Sequence, residues 1–289
     1  MSSKRQLDGA KRIVVKVGTS TLIHPNGRIN LQAIDQLSFS LSGLVNEGKQ
    51  VVLVSSGAIG VGMGQMGLDA RPEKIPEQQA LASMGQCELM TIYQQRFTTY
   101  GQKISQVLLT HDVLDYPKSR QNVFNTLDTL LEWGIIPIIN ENDTIAVDEL
   151  DHHTKFGDND QLSAIVADIV GADLLIMLSD IDGFFNKNPR RFKDAKLIDE
   201  INKIDSKVIE QAGGKGTKFG TGGMTTKLKA AKRILKHDRM MILANGENPS
   251  IIFRIMNGDR IGTLFRKKLG ENYGNFFGRD GKKGQAVSF

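Results

Sequence analysis

The sequence predicts an α/β fold with a mostly parallel central sheet and helices on both faces. Apolar strand-like runs recur at 12–17, 51–54, 104–109, 135–139, 174–178 and 240–243. The segments between them carry apolar residues at helical spacing, and strands that alternate with helices pair in parallel. Two of the runs, 12–17 and 51–54, also lead into glycine turns, as strands that feed helices in such sheets do.

The elements follow in order. KRIVVKVGTST is a strand with Lys16 near its end; it breaks at Gly18, before Thr19, Ser20 and Thr21. Asn30 can cap a helix whose apolar face holds Leu31, Ile34, Leu37, Leu41, Leu44 and Val45, and Gly48 stands where that helix would stop. VVLVSSGAIGVG is a strand that ends at Ser55, Ser56 and Gly57, ahead of a short glycine-rich helix. Further helices are expected at about 77–99, 119–133, 160–170 and 224–237. In GTGGMTTKLKAAKRILKH, Gly220, Gly222 and Gly223 precede a basic helix with Lys227 in its first turns. The loop 213–223 holds too many glycines for a regular element and is either mobile or wrapped around something. No internal repeat, heptad run or long low-complexity stretch is present.

Composition narrows the function classes. The 289 residues are 40% apolar and 24% charged, enough for one large domain or two small ones. No apolar run approaches the roughly 18 residues that span a bilayer. The start, MSSKRQLDGAKR, lacks the apolar segment of a secretory signal, so a cytoplasmic protein without membrane contact is expected. Cys87 is the single cysteine, which excludes an intramolecular disulfide; within a helical pattern, it is expected to be a small core residue rather than a nucleophile. Of the net charge of +5, four units belong to residues 266–289, where six Lys or Arg face Glu271 and Asp280. The domain boundary is therefore expected after Phe265, and the nearly neutral body gives no reason to expect nucleic acid as a partner. The basic tail, with Tyr273, Phe276, Phe277 and Phe289, keeps open an RNA-binding alternative beside a plain solubilising tail.

Three glycine turns with two flanking lysines suit a polyphosphate, with amides facing the anion and ammonium groups neutralising charge during transfer. Lys16 lies among Val14, Val15 and Val17, where a charge needs an opposite partner. Gly62, Gly64 and Gly67 spell G-x-G-x-x-G, but helical text follows where a dinucleotide fold needs its second strand. Neither a G-x-x-x-x-G-K-[ST] string nor an H-R-D and D-F-G pair occurs. Asn140, Glu141, Asn142 and Asp143 follow one strand, and Asp158, Asn159 and Asp160 open a helix. Each cluster alone reads as turn and cap residues. Together they suit a zwitterionic amino acid, with Asp143 for the ammonium, and Asn159 and the groups around Ser56 for the carboxylate. His152 and His153 have no spaced acidic or thiolate partner and are read as a solvated loop.

The strings KVGTS, SSGAI, INEND, GDND, LSDIDG and GTGGM followed by TTK occur in this order, and over residues 11–265 the chain resembles the amino acid kinase family. The resemblance implies a single three-layer αβα sandwich in residues 1–265, with the amino-acid site mainly in 1–170 and the nucleotide site mainly in 171–265. It implies that Lys16 and Lys227 contact the transferring phosphoryl group and that Asp160 holds both. Ser56, Asp143 and Asn159 would bind L-glutamate, with Asn140 in support. Ser179, Asp180 and the loop Thr221, Gly222, Gly223, Met224, Thr225, Thr226 and Lys227 would bind ATP, while the amides of Gly18 and Gly57 complete the cradle.

The implied reaction is ATP-dependent phosphorylation of the side-chain carboxylate of free L-glutamate, the opening step of proline synthesis. Mg2+ would ride on the ATP phosphates, proline would inhibit, and the protein would be a homo-oligomer. Asp143 favours free glutamate, because acetylglutamate has no ammonium for it to meet, and KVGTS in place of K-x-G-G favours the same branch; a sibling such as acetylglutamate kinase is the alternative. Many members of this branch carry an RNA-associated PUA domain, and the 24 residues after Phe265 are too few for one.

Overall fold

The computed structural model describes residues 4–7, 9–110, 116–145, 159–212 and 223–268. Asp158, His152, His153, Gly220, Thr221, Gly222 and the tail beyond 268 lie outside the described residues.

All six expected runs are strands: β1 (Arg12–Val17), β2 (Gln50–Ser55), β3 (Ile104–Leu109), β4 (Ile136–Glu141), β5 (Leu174–Ser179) and, after a two-residue β6 (Glu200–Ile201), β7 (Met240–Asn245). A last strand, β8 (Thr263–Phe265), completes one sheet in the order β3-β4-β2-β1-β5-β7-β8-β6. Every pairing is parallel except β7 with β8. Lys16 registers with Val54 of β2 and Met177 of β5, in the middle of the sheet.

The helices among the described residues are α1 (Thr19–Leu22), α2 (Leu31–Asn46), α3 (Ala58–Met66), α4 (Ile75–Thr99), α5 (Pro117–Glu132), α6 (Asn159–Val170), α7 (Ser206–Gln211), α8 (Gly223–Lys236) and α9 (Ile251–Met256). Asn30 caps α2 by accepting the Ala33 N–H at 3.1 Å, and Gly48 follows its end at φ +79°. Strand alternation sorts the core into two faces. Ile13, Val15 and Val17 pack with Leu37 and Leu41 of α2 and Tyr93 and Phe97 of α4. Val14 packs on the other face with Leu127 of α5, Ile165 of α6 and Ala231 of α8. The result is the three-layer αβα sandwich. Because Lys16 has the parity of Val14, it points toward α6 and α8.

Cys87 is exposed, contrary to the expected core position. The buried stripe of α4 passes through Leu81, Ala82, Gly85, Gln86 and Leu89, and Cys87 falls off it.

The G-x-G-x-x-G spelling has a packing cause. A Cβ on Gly62 would lie 2.1 Å from the Leu81 carbonyl oxygen, and one on Gly85 would lie 1.9 Å from that of Ala58. Helices α3 and α4 therefore touch backbone to backbone, while Gly67 ends α3 at φ +65°. Gly85→Ala is expected to force the helices apart at a cost of about 1–3 kcal/mol. Since each kcal/mol lowers Tm by about 2–4 °C in a domain of this size, thermal denaturation should show a clear drop. An unchanged Tm would contradict the contact.

Candidate active site

Strand β1 has β2 on one side and β5 on the other, so the chain leaves the sheet centre in opposite directions and opens a crevice beyond the strand ends. A cavity of about 530 Å3 lies there. Its lining includes Lys16 and Gly18 at the end of β1, Ser56 and Gly57 after β2, and Asn140, Glu141 and Asp143 at the end of β4. Ser179 and Asp180 enter from β5, Asn159 from α6 and Lys227 from α8.

Asp160, in the first turn of α6, is wholly buried and lies between two ammonium groups. Lys16 Nζ is 2.8 Å from its Oδ1, and Lys227 Nζ is 3.0 Å from its Oδ2. The Thr226 hydroxyl donates to the same Oδ2 at 3.0 Å, and Lys227 Nζ also donates to the Gly223 carbonyl at 3.1 Å. Lys16 is 5% exposed and Lys227 7%, so neither charge could be held there without a partner. One carboxylate against two ammonium groups leaves this trio a net positive charge at the cavity wall. The opposite partner that Lys16 needs is thus Asp160, 144 positions away in the sequence.

A chain of amides ties the ends of β2 and β4 to α6. Asn159 Nδ2 donates to Ser56 Oγ at 2.7 Å and to Asn140 Oδ1 at 3.1 Å, with the Ser55 carbonyl at 3.3 Å. Asn140 Nδ2 donates to Gln86 Oε1 at 2.8 Å, and its Oδ1 accepts the Glu141 N–H. Beneath them, the Ser55 and Tyr93 hydroxyls lie 2.9 Å apart; burial drives the Tyr93 hydroxyl pKa upward, so that it stays neutral.

Of the two glycine turns here, the one at Gly57 is required by geometry. Gly57 opens α3 at φ +106°, where a side chain would be strained. Gly18 opens α1, and a Cβ there would lie 3.5 Å from Lys16 Nζ. On the β5 side, Ser179 Oγ donates to Asp180 Oδ1 at 3.1 Å, and Arg190 Nη2 lies 3.3 Å from Asp180 Oδ2.

The structure thus gathers Lys16, Gly18, Ser56, Gly57, Asn140, Asp143, Asn159, Ser179, Asp180 and Lys227 around one cavity, with Asp160 directly behind it. From the loop expected to hold ATP, Gly223, Met224 and Thr225 form the first turn of α8 without lining this cavity; Met224 packs against the core. Arg71, Gln78 and Met63 also line the cavity and were not expected. Gln86 left a readable signal, a polar residue inside the buried stripe of α4. Among the described residues, no three His, Cys, Asp or Glu side chains converge as a metal site, and no helix is long and apolar enough to cross a membrane.

Residues 11–245 match the amino acid kinase family. The chain is 66% identical over 264 residues to the glutamate 5-kinase of Ligilactobacillus salivarius, covering 91% of this chain and 99% of that one. It is 64% identical to the glutamate 5-kinase of Enterococcus faecalis, covering 91% and 97%. Among solved structures, it resembles the UMP kinase of Bacillus anthracis with a TM-score of 0.59 at 17% identity, covering 90% of this chain and 97% of that one. It also resembles the isopentenyl phosphate kinase of T. acidophilum in its product complex, with a TM-score of 0.59 at 18% identity, covering 89% and 100%. At these identities, the two structures speak to the fold alone.

Proposed function

We propose, for a chain that belongs to the amino acid kinase family and within it to the glutamate 5-kinases, that it transfers the γ-phosphoryl group of ATP to the side-chain carboxylate of L-glutamate, in proline biosynthesis. The observation that carries this reading is the buried Asp160 with an ammonium group on each of its oxygens, at the wall of a cavity where four strand ends meet.

A carboxylate acceptor is already ionised at neutral pH, so the reaction needs no general base. The obstacle is electrostatic, because two anions must meet in line while charge spreads over the transferred group. Lys16 and Lys227 supply fixed positive charge there, and the amides of Gly18 and Gly57 supply dipoles, all held in advance by the sheet and by Asp160. Mg2+, which this reading puts on the ATP phosphates, would neutralise part of their charge. Ser56, Asp143 and Asn159 are assigned to glutamate, with Asn140 bracing Asn159. Ser179, Asp180 and the segment Thr221 to Lys227 are assigned to the nucleotide. The amino-acid site thus belongs mainly to residues 1–170 and the nucleotide site to 171–265. The same reading makes the protein cytoplasmic, homo-oligomeric and inhibited by proline, with residues 266–289 outside the catalytic unit.

The test is ADP release with L-glutamate, N-acetylglutamate, L-aspartate and uridylate as rival acceptors. Glutamate should dominate; equal or better turnover of any other acceptor would overturn the proposal. Asp143→Asn removes the counter-charge assigned to the ammonium, and a hydrogen bond to a charged group is worth about 1.5–3 kcal/mol. The KM for glutamate should therefore rise by roughly 10-fold or more while that for ATP stays constant. A change confined to ATP would show that Asp143 is wrongly assigned.

A further inference from the structure

Glutamate needs donors for its α-carboxylate; of those expected, the Asn159 amide is already engaged, and the Ser56 hydroxyl that accepts from it is neutral. Asn159 Nδ2 has two hydrogens, and Ser56 Oγ, Asn140 Oδ1 and the Ser55 carbonyl already compete for them. Lys16 and Lys227 are committed to Asp160 and, in the proposed reaction, to the phosphoryl group. Among the described residues that line the cavity, the remaining cation is Arg71, in the turn between α3 and α4.

Its surroundings suit a ligand. Arg71 Nε and Nη2 both donate to Gln78 Oε1, at 2.9 and 2.6 Å, and Gln78 Nε2 donates in turn to the Pro72 carbonyl at 2.8 Å. A neutral carboxamide therefore fixes one edge of the guanidinium without cancelling its charge. The Nη1–Nη2 end remains, a fork whose spacing matches the two oxygens of a carboxylate. Glu141 and Asp143 line the same cavity, so acceptors for an ammonium and a donor fork for a carboxylate are offered together.

We infer that Arg71, oriented by Gln78, binds the α-carboxylate of the amino-acid substrate and sets the preference for acceptors in which that group is free. The inference rests on the glutamate reading above and extends it to the recognition of the substrate's other end. Asp143 and Arg71 would then read the two charges of the α-carbon, while the side-chain carboxylate reaches the lysines.

The experiment compares wild type, Arg71→Met and Arg71→Lys with two acceptors, L-glutamate and L-glutamic acid α-amide. The amide keeps the ammonium and the side-chain carboxylate but lacks the α-carboxylate. Arg71 is exposed, so the variants should melt with the wild type. In Arg71→Met, the KM for glutamate should rise about 10- to 100-fold, with kcat changed little and the KM for ATP constant. The preference for glutamate over its α-amide should collapse by about the same factor, because the lost contact is one the amide never made in full. Arg71→Lys, which keeps the charge and loses the fork, should fall between. An undiminished preference in Arg71→Met, or in Arg71→Lys should the first variant fail to fold, would overturn the inference while leaving the glutamate reading intact. Absence of glutamate-dependent ADP release in wild type would overturn both.

Discussion

Lys227→Ala should lower kcat for glutamate-dependent ADP release by roughly 100-fold or more, the scale seen when one preorganised charge donor is removed, in a protein that still folds. The fold should survive because Asp160 keeps Lys16 on one oxygen and the Thr226 hydroxyl on the other. No buried charge is orphaned. The loss should fall on kcat more than on the KM for glutamate, because the ammonium acts on charge that develops only as the phosphoryl group moves. Lys227→Arg should not restore activity, since a planar guanidinium cannot place its charge where a 7%-exposed ammonium packs between Asp160 and Gly223. Lys16→Ala should behave in the same way from the β1 side. Turnover within about threefold of wild type, in a variant shown to be folded by its melting curve, would remove Lys227 from the mechanism.

Asp160→Ala should cost both activity and stability. Deleting the wholly buried carboxylate leaves two ammonium groups facing each other at 5% and 7% exposure. Removing one partner of a buried ion pair costs about 3–5 kcal/mol; because both lysines border the cavity, where solvent can reach them, the lower end is expected. Asp160→Asn keeps the shape and discards the charge, so it separates electrostatics from packing. It too should melt early and turn over slowly, since an amide nitrogen would face one of the lysines. Denaturant unfolding of both variants beside Lys227→Ala checks the asymmetry: the acid is needed for the fold and the chemistry, the lysine for the chemistry. Wild-type stability in Asp160→Asn would contradict this division.

Much of the sheet was legible because its central strands are buried on both faces and read as unbroken apolar runs. The same property made Lys16 conspicuous, as a charge in such a run requires a partner. The identity of that partner was not legible from the residues, since the pairing of β1 with α6 is tertiary; the family resemblance supplied Asp160. Strands β6 and β8 are too short for any periodicity to register, and α1, α7 and α9 are one or two turns each. The glycines of α3 were visible, but their role in a backbone contact with α4 depends on Gly85, more than 20 residues on. Arg71 left no signal at all, because a cation before proline in a polar loop is ordinary. Beyond the expected domain boundary, Arg266 forks onto Glu200 at 2.9 and 3.1 Å, so a charged residue read as tail is tied to the sheet edge.

If the lysines serve the transfer, Lys16 and Lys227 converge on the phosphoryl group in transit while Asp160 holds them. A crystal structure with MgADP, aluminium fluoride and L-glutamate tests it most directly. Both Nζ atoms should lie within about 3 Å of the fluorides that stand in for the phosphoryl oxygens, with Asp160 still bridging the two lysines. Either ammonium directed away from the fluorides would contradict it.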